Sequence, residues 1–104
     1  MNKDHSGTPE ITNLVEKIRP LIEYNRQLVR EAEKLYTLEV AGIIKDQECA
    51  PKRIEHCLDG ILGFCFDDNM LLLFKKLCRH YYTIDPVATS EYVYIYKDMW
   101  DNGD

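Results

Sequence analysis

The chain has 104 residues, of which 45% are hydrophobic and 30% charged, with a net charge of −5. That length suits one domain that buries a core without help from disulfides or metal. The acidic balance disfavours non-specific binding to nucleic acid or to an anionic membrane surface.

Residues 1–8 are polar and read as a disordered N-terminus, with the single helical domain over 9–104. No apolar stretch marks a signal peptide or a transmembrane span, so the expected location is cytoplasmic, with no membrane partner. Thr8-Pro9 reads as an N-cap followed by proline at the first helical position. From there an apolar stripe recurs at steps of three and four: Leu14, Ile18, Leu21/Ile22, Leu28/Val29, Ala32, Leu35/Tyr36, Val40, Ile43. This is one face of a helix running to about Lys45, and it predicts packing along its length. Pro20 interrupts it chemically but not in phase, which favours a kink or close break within one long helix. Gly42 either weakens the last turn or marks a close contact.

Asp46 to Ala50 reads as a loop, and Pro51 opens the next helix. Its inward stripe is Ile54, Cys57, Leu58, Ile61, Leu62 and Cys65. Gly60 and Gly63 fall on the opposite side and are expected to make no close helix–helix contact, though one may end the helix. Asp67 or Asp68 caps the following helix, whose inward residues are Met70, Leu73, Phe74, Leu77 and Tyr81, widened by Leu71 and Cys78.

Asp85-Pro86 repeats the cap-plus-proline signal. The segment 87–100 has two readings. As a helix, Ala88, Tyr92, Ile95, Tyr96 and Met99 share a face. As a strand, Tyr92, Tyr94 and Tyr96 alternate with Val93 and Ile95, and 61–66 would be the partner strand. The cap favours the helix. The expected fold is all-α, a bundle of four to five helices, with an α+β fold carrying strands near 61–66 and 92–96 as the alternative.

The four cysteines are separated by eight, eight and thirteen positions, unlike the short pairs of structural zinc sites. They read as reduced core residues, with no metal and no cofactor. No phosphate-binding glycine loop occurs, and no cysteine or histidine has the setting of a nucleophile or base. The chain is therefore expected not to be an enzyme. Two surfaces remain as candidates. Lys75, Lys76 and Arg79 share a helix face with Leu72, bordered by His80. Tyr92, Tyr94, Tyr96 and Trp100 lie on a segment whose apolar groups surround the helix axis, so one packed face cannot cover them all. Acidic Asp98, Asp101 and Asp104 would rim that contact. These features favour an interaction or adaptor protein whose partner is another protein or itself, as a homodimer. The alternative is a small regulatory protein contacting nucleic acid through Lys75, Lys76 and Arg79.

Overall fold

A computed structural model describes residues 9–101, with side chains from residue 11, and the expectations for residues 1–8 and Asp104 lie outside it. The described residues form four helices in chain order: α1 Pro9–Lys45, α2 Pro51–Leu62, α3 Asp68–Tyr82 and α4 Pro86–Trp100. They contain no strand, so the all-α reading holds and the α+β alternative falls at both 61–66 and 92–96.

The boundaries follow local chemistry. α1 runs unbroken through Pro20. It ends at a turn where the Gln47 N–H donates to the Ile44 carbonyl at 3.1 Å and the Glu48 N–H to Ile43 at 3.0 Å. Gln47 supplies the left-handed residue this closure needs, with φ 52°, a place glycine more often takes. α2 starts at Pro51 and is capped at its C-terminus by Gly63. The Asp67 carboxylate accepts from the Met70 N–H at 3.1 Å, and the Asp85 carboxylate from the Ala88 N–H at 3.0 Å. These two caps satisfy orphan donors at the starts of α3 and α4.

The chain divides within α1 into two compact units, one ending at Glu31 and one beginning at Ala32. In the second unit α3 packs against both α2 and α4. Its core is the predicted α2 stripe, Ile54 to Cys65, with Val40, Ile43, Met70, Phe74, Leu77, Cys78 and Tyr81. The first unit differs from expectation. Among its described side chains only Val29 is buried, and the rest of the stripe through Leu28 is exposed. Helical periodicity marks a face to be covered without specifying what covers it.

Two glycine readings are resolved. A methyl group at Gly42 would meet nothing, so no close contact is there. At Gly60 it would collide with the hydroxyl end of Tyr36 from α1. The expectation that Gly60 makes no close contact is therefore corrected: it lies away from the α2 core stripe, but Tyr36 occupies the space above it. Gly60→Ala should fail to gain the helix-propensity benefit of about 1 kcal/mol while Tyr36 is present. In a Tyr36→Ala background the gain should return, which a double-mutant cycle of urea unfolding would measure.

Candidate functional site

α3 carries residues 71, 74, 75, 78, 79 and 82 at helical spacing on one side. That side faces α4 across a groove of about 560 Å³. Buried Phe74 and Cys78, half-buried Leu71 and the exposed Tyr82 ring line it from α3. Thr89, Val93 and Tyr96 line it from α4. The Phe74 and Tyr96 rings lie 5.7 Å apart. The Thr89 hydroxyl donates to the Asp85 carbonyl at 2.8 Å, so the hydroxyl is satisfied within its own helix.

Charge sits at the mouth. Lys75 and Arg79 rise from α3, Lys97 and Asp101 from α4. None of the three cations is held in an ion pair among the described residues. Asp101, from the acidic C-terminal end, thus lines the same groove as Lys75 and Arg79.

The predicted surface residues separate. Lys75, Arg79 and Tyr96 line the groove, whereas Lys76 and Leu72 are exposed outside it, Leu72 at 62%. His80 is engaged elsewhere: its ring nitrogen lies 2.8 Å from the Glu48 carbonyl. On α4, the Tyr92 hydroxyl donates to Asp59 at 2.7 Å. Trp100 donates its indole N–H to the Leu62 carbonyl at 2.9 Å and sets its ring 5.7 Å from Phe66. These three contacts tie α4 to α2 and to the turn after it. Tyr94 points outward, 71% exposed.

Of the predicted Ala88/Tyr92/Ile95/Tyr96/Met99 face, Ala88, Tyr92 and Tyr96 are half-buried, and Thr89 is buried beside them, whereas Ile95 and Met99 turn outward. Ile95 and Met99 are 40% and 48% exposed. Sequence reasoning missed Lys97, Asp101, Val93 and Thr89 as groove residues. The spacing of 71, 74, 75, 78 and 82 was the available signal on α3. α4 offered none, because its apolar groups circle the axis.

The groove holds no activated nucleophile. Burial, reinforced by nearby Cys65, pushes the Cys78 thiol up to about 12. It stays protonated at neutral pH and inert. Cys57 and Cys65 are likewise buried, and all four cysteines are free. Among the described residues no group of three His, Cys, Asp or Glu side chains gathers around a metal-sized site. No helix of the described residues is long and apolar enough to cross a membrane. The chain matches no known family model, no curated protein and no solved structure.

Proposed function

We propose that this is a non-enzymatic, cytoplasmic protein-interaction protein whose α3–α4 groove takes an acidic helical segment of another protein. One observation carries the reading: an apolar floor rimmed by three cations against one carboxylate, in a chain that is otherwise acidic. An amphipathic helix lays its apolar residues into such a groove, and its acidic flanks complement the rim. The free thiols suit a reducing compartment.

The test uses a fluorescent helical peptide with leucine at every third and fourth position and glutamate elsewhere. Its lysine counterpart and a single-stranded oligonucleotide serve as controls. The acidic peptide should bind, more weakly as salt rises. Lys75→Glu with Arg79→Glu and Lys97→Glu should weaken it about tenfold or more. Lys76→Glu, outside the groove, should leave it within about twofold. Binding of the oligonucleotide alone would favour the nucleic-acid alternative. Binding of neither, or of the lysine peptide equally well, would overturn the proposal.

A further inference from the structure

Within its apolar stripe, the N-terminal half of α1 carries a heptad pattern. Ile11, Leu14, Ile18, Leu21, Asn25 and Leu28 alternate at steps of three and four without interruption, and Ala32 and Leu35 continue the count. In heptad terms the first of each pair is Ile, Ile, Asn, Ala and the second is Leu four times. β-Branched residues at the first core position with leucine at the second favour two parallel strands. A single asparagine among the first positions fixes register.

The structure leaves this seam uncovered. Leu14 is 58% exposed, Leu21 62% and Leu28 45%, with Ile11 and Ile18 near 40%. The opposite face is already satisfied by its own ion pairs. Arg19 meets Glu16 at 2.9 Å and Arg26 meets Glu23 at 3.2 Å, both far from the seam. Pro20 also lies on this outer face, within the continuous helix.

We propose that residues 11–28 of α1 form a parallel two-stranded coiled coil with a second copy of this chain. The pattern is self-complementary in that orientation. Asn25 meets its own counterpart, so two amides pair within the seam. In an antiparallel pair over the same residues Asn25 would face Leu14, leaving a polar amide buried without a partner. Across the parallel seam Lys17 and Tyr24 flank apolar Ile22 and Val29, so no like charges oppose each other. The aliphatic side chains from Ile11 to Leu28, with flanking Val15 and Ile22, expose on the order of 600 Å² per copy, and roughly twice that area suffices for a specific interface. This inference is independent of the groove.

Sedimentation equilibrium of the full chain should show a reversible dimer. Leu21→Glu with Leu28→Glu should make it monomeric. Cooperative urea unfolding should persist in that variant, because both residues are exposed in the single chain. A Leu14→Cys substitution in a Cys49→Ser background should form a disulfide-linked dimer rapidly in air. A monomer at all concentrations would overturn the proposal, as would a dimer that survives the double glutamate change. A dimer lost on that change but without the Leu14→Cys cross-link would overturn the parallel arrangement. Binding of the acidic peptide by the monomeric variant would separate this surface from the groove.

Discussion

Tyr81→Ala should lower the free energy of unfolding by about 3–5 kcal/mol, the range for emptying a buried aromatic site. Tyr81 is fully buried on α3, and its hydroxyl donates to the Glu55 carboxylate of α2 at 2.5 Å. The residue therefore fills volume and ties two helices together. Tyr81→Phe separates the two roles. It keeps the ring and leaves Glu55 without its donor, and should cost about 1–3 kcal/mol. Urea unfolding of both variants measures the difference.

Alkaline pH reads the same contact in another way. Burial first, and then the bond to Glu55, raise the Tyr81 phenol above its ordinary value of 10.0. The folded state favours the neutral phenol, so this stabilisation is complete below about pH 10 and is lost as the pH rises beyond it. The buried thiols act with the same sign from their ordinary value of 9.0. Burial raises Cys65 to about 11, and raises Cys57 and Cys78 to about 12, with Glu39 adding to the shift at Cys57. Stability should therefore decline from about pH 9 upward. Tyr81→Phe should flatten the part of the decline above pH 10, in melts recorded from pH 7 to 11. An unchanged slope would show that the phenol does not contribute.

Leu58→Ala should cost about 2–5 kcal/mol. Leu58 is fully buried in the α2 stripe, with Ile54, Cys57 and Ile61 equally enclosed beside it. α2 contacts α3 extensively and cannot close onto the vacated volume without moving those neighbours. Leu72→Ala, on the exposed side of α3, should change stability by no more than about 0.5 kcal/mol. Thermal melts of the two variants should differ by many degrees, and equal loss in both would mean that the α2 stripe is not the core.

How much of this could be read beforehand differs by helix. α2 and α3 were legible in detail because each carries one sided apolar spacing between a proline or aspartate start and a clear stop. The spacing of Ile54, Cys57, Leu58, Ile61, Leu62 and Cys65 marks them as inward, which the structure bears out, and of the two cap candidates Asp67 and Asp68 it is Asp67 that accepts from the Met70 N–H. α4 was legible in type but not in phase. Tyr92, Tyr94, Ile95, Tyr96 and Trp100 lie around its whole circumference, so the expected face Ala88, Tyr92, Ile95, Tyr96 and Met99 is right at Ala88, Tyr92 and Tyr96 and wrong at Ile95 and Met99. Hydrogen bonds to Asp59 and to the Leu62 carbonyl selected the face. Those partners lie 33 and 38 positions away in the chain.

The sequence by itself determined the all-α class favoured over the strand alternative, the starts of α2, α3 and α4 and most of the core of the second unit, because these depend on neighbours within a few positions. The tertiary structure alone decided three things. It set Lys97 and Asp101 opposite Lys75 and Arg79 across one groove. It placed Tyr36 over Gly60. It left the α1 stripe from Ile11 to Leu28 exposed. Each depends on which distant residues meet. A periodic pattern states that a face is apolar, and only packing states whether the chain itself covers it.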